Sequence, residues 1–478
     1  MELDRHLCYQ ALRTRDARFD GVFFVAVSTT RIYCRPVCKA KCPGFDRCTF
    51  HPSAASAEKA GYRPCLRCRP ELAPGNAPVD AVGRLAALAM NRIEDGALSD
   101  GSVDELATEM GISSRHLRRV IEAEYGVSPI ELAQTQRLLM AKRLLTDSNL
   151  PLTEVALASG FASVRRFNSL FLERYRINPS TMRKSRTASA SAKTDMIVCE
   201  LAFRAPYDWD SILNFLAMRA SAGVEAVVDG VYMRTVGIGE HVGWLTVERS
   251  REKDAIVVRV SHSLAPVLLN VIARIKRLFD LQANPMIVEK HLGEVAVGSP
   301  GLRVPGAFDG LEVAVRAILG QQVSVKAASS LAGRVAKLLG QEIETPYEQL
   351  TVLSPTAEAM ANAKVSDFGE LGIISSRGGS IIAVARAVAS GELSLEPGIE
   401  FERTIEKLKA IPGIGEWTAE YIAMRCLAWP DAFPHSDLGI KKALGTSSRK
   451  EIIEASEQWR PWRSYAAMHL WKSLEKVK

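Results

Sequence analysis

The chain has 478 residues, 47% apolar and 24% charged, a globular balance too long for one core and sized for three or four domains. No apolar run reaches the ~18 residues of a membrane span, and the polar opening "MELDRHLCYQ" cannot be the apolar core of a secretory signal. A reducing, cytoplasmic setting with no membrane partner is the expectation. The net charge of +7 is uneven: residues 1–194 hold 29 Lys+Arg against 20 Asp+Glu, and the rest holds 32 against 34. A basic N-terminal part fits a polyanionic partner, because neutralising phosphates releases condensed counterions; a merely soluble surface would give the same count.

Seven of the nine cysteines lie in the first 68 residues, which in a reducing compartment points to metal or thiol chemistry rather than disulfides. Cys34-x3-Cys38 and Cys65-x2-Cys68 are separated by 26 residues. Two such chelating pairs can wrap one tetrahedral Zn²⁺, whose borderline-soft character favours thiolates. Cys42 and Cys48 are surplus, either competing ligands or free thiols. By spacing alone, the metal would only hold a small fold together.

"TTRIYCRPVCKAK" followed by "AGYRPCLRCRPE", with the lead-in "FDGVFFVAV", resembles the methylphosphotriester domain of the Ada family across roughly residues 5–73. The resemblance implies that Cys34 accepts a methyl group, with Cys38, Cys65 and Cys68 as the remaining zinc ligands. Four thiolates on one Zn²⁺ carry a net charge of −2, which repels DNA, and methylating one sulfur reduces it to −1. No residue restores the thiol, so each molecule acts once. Arg31, Arg35, Arg67 and Arg69 are expected to engage flanking phosphates. One unit charge at ~8 Å contributes about 0.5 kcal/mol in water and about 2 at an effective dielectric of 20, so DNA binding should tighten a few-fold to tens of times.

After the Pro/Gly/Ala-rich break "PELAPGNAPVD" (70–80), two stretches share one layout: "DELATEMGISSRHLRRVIEAEYGVSP" and "LTEVALASGFASVRRFNSLFLERYRINP". Each has a short helix, a Gly (Gly111, Gly160), a Ser able to cap (Ser113, Ser163) and a basic-faced helix, the pattern of a helix-turn-helix. Across about 80–184 they resemble the AraC-type DNA-binding domain. Groove-facing side chains would come from Ser114, Arg115, Arg118 and Arg119 in the first unit, and from Ser163, Arg165, Arg166 and Asn168 in the second. Arg can read guanine bidentately and Asn adenine; the plainer alternative is a solvated helix face.

"SRTASASAKTD" (185–195) reads as a flexible linker. Strand-like runs in "DMIVCELAFRAPYDW" and "DAIVVRVS", with helical stretches near 209–222 and 264–278, predict an α+β region to about 285. A softer break at 297–306 precedes helical periodicity from about 309 onward.

In "LKAIPGIGEWTAEYIAMRCLAWPDAFPHSDLGIKKAL" (408–444) the turn "IPGIG" joins two helices. Gly413 and Gly415 let backbone amides approach a DNA phosphate at a helix N-terminus. With Asp437 about 20 residues onward, the stretch resembles the helix-hairpin-helix DNA glycosylases of the AlkA type, and that likeness runs from about 198 to 475. It implies Asp437 as catalytic carboxylate, Trp417, Tyr421 and Trp471 as the base pocket, and alkylated bases of the 3-methyladenine and 7-methylguanine kind as substrates. Where that family has an apolar wedge, this chain has Gln322. Trp417 stands where bifunctional relatives carry a Schiff-base lysine, so a monofunctional hydrolase is expected. A lone Cys426 cannot hold an iron–sulfur cluster, and no P-C-H-R-V motif of an alkylguanine methyltransferase is present.

The expected fold class is multidomain and mainly α with α+β parts. Its segments are an Ada-type zinc α+β domain (1–74), an all-α AraC-type double helix-turn-helix (80–186), a linker (187–195), an α+β part (196–290) and an all-α helix-hairpin-helix domain (297–478). The partners implied are alkylated and promoter double-stranded DNA and RNA polymerase, in a bacterial, nucleoid-associated setting. Two rivals are a non-catalytic DNA-binding regulator, and a constitutive glycosylase whose N-terminal half only tethers DNA.

Overall fold

A helix, Arg5–Thr14, precedes four short strands in the computed structural model, which describes residues 4–73, 84–99, 101–148, 150–184, 196–398 and 401–475. Strands β1 (Phe24–Val27), β2 (Ile32–Cys34), β3 (Cys48–His51) and β4 (Arg63–Pro64) form a sheet ordered β3-β1-β2-β4. β2 and β4 run parallel, with Ile32 opposite Arg63 and Tyr33 opposite Pro64. That register sets Cys34, the end of β2, beside Cys65, the residue after β4. Parallel strands need a long crossover, and here it contains β3 and the helix Ala54–Lys59.

The helical repeat follows as read. Helices Val103–Glu109 and Ser114–Tyr125 form the first helix-turn-helix, and Leu152–Ala158 and Val164–Tyr175 the second; Pro129–Asp147 connects them. Gly111 and Gly160 adopt φ of +67° and +77°, conformations that cost a glycine little. The Ser113 and Ser163 hydroxyls accept from the amides of His116 and Arg166 at 3.3 and 3.2 Å.

A buried carboxylate joins this repeat to the first sheet. Glu58 is 5% exposed. It accepts from the hydroxyls of Tyr33 (3.0 Å), Tyr175 (3.4 Å) and Thr135 (3.1 Å). Burial outweighs those donors and pushes Glu58 up to about 7 from its ordinary 4.5. A carboxyl raised on folding stabilises fully below its unfolded value, and that contribution is lost as pH rises through about 7; the span is worth about 3 kcal/mol. Glu58→Gln keeps the shape and cannot ionise. Thermal melts of variant and parent from pH 4.5 to 8 are expected to diverge in the variant's favour as pH rises, and parallel curves would refute this.

The chain divides into two compact units, one of Met1–Arg204, Ser250–Ala273 and Leu281–Asn284, the other of Ala205–Arg249, Arg274–Asp280 and Pro285–Lys478. The expected 1–74 and 80–186 segments both fall in the first, and the 196–290 segment is shared between the two. The expected linker 187–195, and residues 74–80 of the earlier break, lie outside the described residues. In the first unit β5 (Met196–Ala202) pairs antiparallel with β9 (Ala255–Ser261), the two strands read from sequence. The second unit adds an antiparallel meander of β6 (Glu225–Val228), β7 (Val231–Ile238) and β8 (His241–Arg249). Its remainder is helical, around a core that includes Ala314, Ile318, Ile381, Val384 and Ile422, all at 5% exposure or less.

Candidate functional site

Two constellations stand out, one in each unit. In the first, the sulfurs of Cys34, Cys38, Cys65 and Cys68 all lie within 4.8 Å of one another. Local backbone sets them there: the Cys38 amide donates to the Arg35 carbonyl (3.1 Å) and the Cys65 amide to the Tyr33 carbonyl (3.0 Å). Two amides aim at sulfur, Arg35 N–H at Cys68 Sγ and Arg67 N–H at Cys65 Sγ, both 3.4 Å. Cys38 and Cys65 are buried, while Cys34 and Cys68 keep partial exposure.

Left to themselves, the four thiols compete for protons. Hydrogen bonding to Cys38 first, then to Cys65 and Cys68, pushes Cys34 up. The Cys34 thiol in turn holds Cys38 down at about 6 and Cys65 lower still. A thiophilic dication would let all four ionise together, and an all-sulfur quartet of this size fits Zn²⁺. Cys42 is exposed, its thiol 3.6 Å from the Pro43 carbonyl, and Cys48 is buried and pushed up to about 11 by burial. Neither belongs to the quartet.

The surrounding arginines are not equivalent. Arg35 departs from the expectation of a phosphate contact. Its side chain is only 12% exposed, forms an ion pair with Asp20 and donates to the Cys68 carbonyl at 3.3 Å, so it braces the quartet from within. Arg69 is likewise engaged, by Glu71 (3.0 Å) and Asp147 (2.5 Å). Arg31 and Arg67 are exposed. On the helical repeat Arg115, Arg118, Arg119, Arg165, Arg166 and Asn168 are all exposed, on helices whose opposite faces bury Leu117, Ile121, Phe167 and Phe171.

In the second unit a cleft of about 1020 Å³ is walled by Trp417, Tyr421, Trp471, Asp437, Gly413 and Gly415, with Gln322 at its edge. The hairpin is formed by helices Phe401–Ala410 and Glu416–Arg425. Gly413 has φ +85°, and a Cβ there would come within 2.3 Å of Ser380 Oγ, which itself donates to the Pro412 carbonyl at 2.7 Å. Gly415 is the N-cap of the second helix and supplies no side-chain acceptor to its first-turn amides, while a Cβ there would meet nothing within 4 Å. That end of the hairpin is open to an outside anion.

Asp437 is both a helix cap and a cleft residue. Its Oδ1 accepts from the amides of Gly439 (2.7 Å) and Ile440 (3.1 Å) and from Trp471 Nε1 (2.9 Å); its Oδ2 accepts from Trp417 Nε1 (2.9 Å). Glycine at 439 makes room for the indole, since a Cβ would lie 2.9 Å from Trp471 Cδ1. Trp417 and Tyr421 stack with centroids 5.3 Å apart at 17°. The carboxylate is thus fixed against an aromatic wall by four N–H donors.

Several cleft residues carry no local signal in the sequence. Gln321 Nε2 reaches across to the hairpin, donating to the Gly413 carbonyl (2.8 Å) and Thr418 Oγ1 (3.0 Å). Its neighbour Gln322 is exposed with φ +55°, a left-handed conformation uncommon outside glycine. Beneath the wall Arg425 donates to the Tyr421 hydroxyl at 2.8 Å. Burial acts to raise the Tyr421 phenol, yet the guanidiniums of Arg425, Arg219 and Arg316 hold it below its ordinary value.

A carboxylate set among indoles beside a helix-hairpin-helix turn, in a chain that also carries a thiol quartet and a double helix-turn-helix, defines a base-excision DNA repair fold joined to a metal-binding regulatory half. Four family descriptions match in order: "Metal binding domain of Ada" at 7–71, "Helix-turn-helix domain" at 106–185, "AlkA N-terminal domain" at 198–309 and "HhH-GPD superfamily base excision DNA repair protein" at 315–458. The chain is 39% identical over 490 aligned residues to the Mycobacterium tuberculosis protein named "Probable bifunctional transcriptional activator/DNA repair enzyme AlkA", covering 99% of this chain and 97% of that one. It therefore belongs to the family of AlkA-type bifunctional transcriptional activator/DNA repair enzymes. It is also 38% identical over 271 residues to DNA-3-methyladenine glycosylase 2 of Escherichia coli, covering 57% of this chain and 95% of that one. The solved 3-methyladenine DNA-glycosylase from Archaeoglobus fulgidus superposes with a TM-score of 0.51 at 22% identity, over 59% of this chain and 99% of that one, a likeness of fold. Among the described residues, no helix is long and apolar enough to cross a membrane.

Proposed function

We propose that the chain is a monofunctional glycosylase that releases alkylated bases from double-stranded DNA, fused to a cysteine methyl acceptor and a promoter-binding activator module. The observation that carries the reading is Asp437 held against Trp417 and Trp471 in a cleft that the hairpin borders. An alkylated purine is cationic and leaves its sugar readily. The carboxylate stabilises the positive charge that develops on the sugar, and water completes the cleavage to leave an abasic site. The faces of Trp417, Tyr421 and Trp471 suit an electron-poor flipped base, each such contact worth roughly 0.5–2 kcal/mol. Gln322, exposed at the rim, can enter the stack and hydrogen-bond the orphaned partner base, while Gly413 and Gly415 hold the backbone.

In the other half Cys34, Cys38, Cys65 and Cys68 would hold one Zn²⁺, which keeps the sulfurs ionised at neutral pH. Cys34, at the partly exposed edge, attacks the methyl carbon of a methylphosphotriester. A sulfur–carbon bond forms, the carbon–oxygen bond breaks, and the electron pair leaves on a restored phosphodiester. The loss of one negative charge near Arg31 and Arg67 then favours DNA. The Arg115/Arg118 and Arg165/Arg166/Asn168 faces read promoter sequence and bring RNA polymerase to it. The test is a single incubation with methylated DNA, scoring freed bases and protein-bound methyl together. Both are expected, the first catalytic and the second stoichiometric; release of neither would leave only a DNA-binding regulator.

A further inference from the structure

Three handles tie the loop that ends in Asp437 to the helix that begins at the hairpin turn. Glu420 accepts from the Phe433 amide at 3.1 Å, Glu416 Oε2 lies 3.3 Å from His435 Nε2, and Trp417 Nε1 donates to Asp437 Oδ2 at 2.9 Å. Glu416 and Glu420 are four residues apart and share one helix face, so the loop 433–437 runs along that face. Two backbone bonds tighten the loop itself, from the His435 amide to the Phe433 carbonyl (2.7 Å) and from the Asp437 amide to the Pro434 carbonyl (2.8 Å).

Of the three handles, the Glu416–His435 contact alone joins two ionisable side chains, and it sits at the hairpin. Glu416 follows Gly415 directly, at the helix end that is open to a DNA phosphate. A carboxylate there favours the helix dipole but repels an arriving phosphate. Two nitrogen-bearing side chains face it. Arg449 donates to Oε1 at 2.8 Å from an exposed position, and His435 approaches Oε2 from within, its side chain 11% exposed. Arg449 therefore offsets the charge at the surface. His435 stands two residues before Asp437, so it links the same carboxylate to the backbone of the catalytic loop.

We infer that His435 is a positioning residue for Asp437, locking the catalytic loop through Glu416 to the phosphate-binding end of the hairpin. The inference rests on the glycosylase reading and adds a residue to it. The indoles of Trp417 and Trp471 orient the Asp437 carboxylate from the cleft side, whereas His435 fixes the chain that carries it. A phosphate seated at Gly415 drives the Glu416 carboxylate toward the imidazole and the guanidinium, which tightens the contact when DNA is in place. A reacting group displaced by about 1 Å loses on the order of 10²-fold in rate, so a small slackening of this loop is enough to be read.

The experiment measures single-turnover release of 7-methylguanine from duplex DNA by the full chain, beside the affinity for a duplex holding a stable abasic-site analogue. The variants are His435→Ala, His435→Gln, Glu416→Gln and the double His435→Ala/Glu416→Gln. His435→Ala should lower the maximal rate roughly ten-fold or more with affinity within about two-fold of the parent. His435→Gln keeps an N–H within reach of Glu416 and should recover most of the rate. Glu416→Gln should also slow release, and the double variant should be no slower than the slower single one, because residues that act as one link are not additive. Losses that multiply in the double variant would overturn the link. A fall in affinity at an unchanged maximal rate would place His435 in the DNA contact instead and reject the proposal. A melting temperature lowered equally in both His435 variants, with no recovery of rate by Gln, would reduce the residue to a structural role. Each of these outcomes, with the parent active, overturns His435 alone; a parent that releases no base would overturn the glycosylase reading and this inference with it.

Discussion

Asp437→Asn is expected to cut base release from methylated DNA by about 10²–10³-fold while leaving DNA binding in place, because the change removes charge at the atom facing the sugar and little else. Asparagine caps helices as well as aspartate, so the helix Leu438–Leu444 should persist. The substitution is not silent for stability. Four N–H donors converge on the two carboxylate oxygens. An amide has only one oxygen, so its NH₂ must face at least one donor, at a cost of about 1–3 kcal/mol. A modest drop in the melting temperature of the second unit is therefore expected beside the loss of activity. Single-turnover release at saturating enzyme separates the two effects, and release within ten-fold of the parent would remove Asp437 from the chemistry.

How much of this was legible in the sequence depends on how local the determinants are. The Ser113 and Ser163 caps and the Gly111 and Gly160 turns are decided within a few residues, and each stands where the pattern put it. The four outer cysteines could be paired by spacing, because short chelating pairs leave few arrangements. What the spacing could not carry is the pairing of β2 with β4 that brings the pairs together. Arg35 shows the limit: its basic neighbourhood read as a phosphate contact, but Asp20, 15 residues earlier, turns the side chain inward. Glu58 gave no sign of a buried role, since its partners Thr135 and Tyr175 lie 77 and 117 residues away. Gln321 was hidden behind its neighbour, because its partner Thr418 is 97 residues distant.

Cys34→Ala should reduce methyl uptake from methylphosphotriester DNA from one equivalent per chain to none, leaving base release by the second unit intact. The chemistry requires a thiolate at the partly exposed edge of the quartet, which Cys34 shares with Cys68, while Cys38 and Cys65 are buried. Cys68→Ala, which keeps the Cys34 sulfur, is the variant that tells the two edge sulfurs apart when the transferred methyl is mapped. Cys42→Ala is the matched control: its thiol is exposed but outside the quartet, so uptake should be unchanged. Removing zinc with a chelator should act more broadly. Structural zinc contributes on the order of 10–16 kcal/mol in small peptide sites, and without it four thiols packed within 4.8 Å cannot all ionise. Uptake should vanish, and protection of Tyr33 and the β2–β4 pair against amide exchange should fall, whereas the helices of the second unit keep theirs. Peptide mapping of the transferred methyl decides the matter: its appearance on Cys42 or Cys38, or full uptake by the chelated protein, would mean the quartet is a structural knot and the acceptor lies elsewhere.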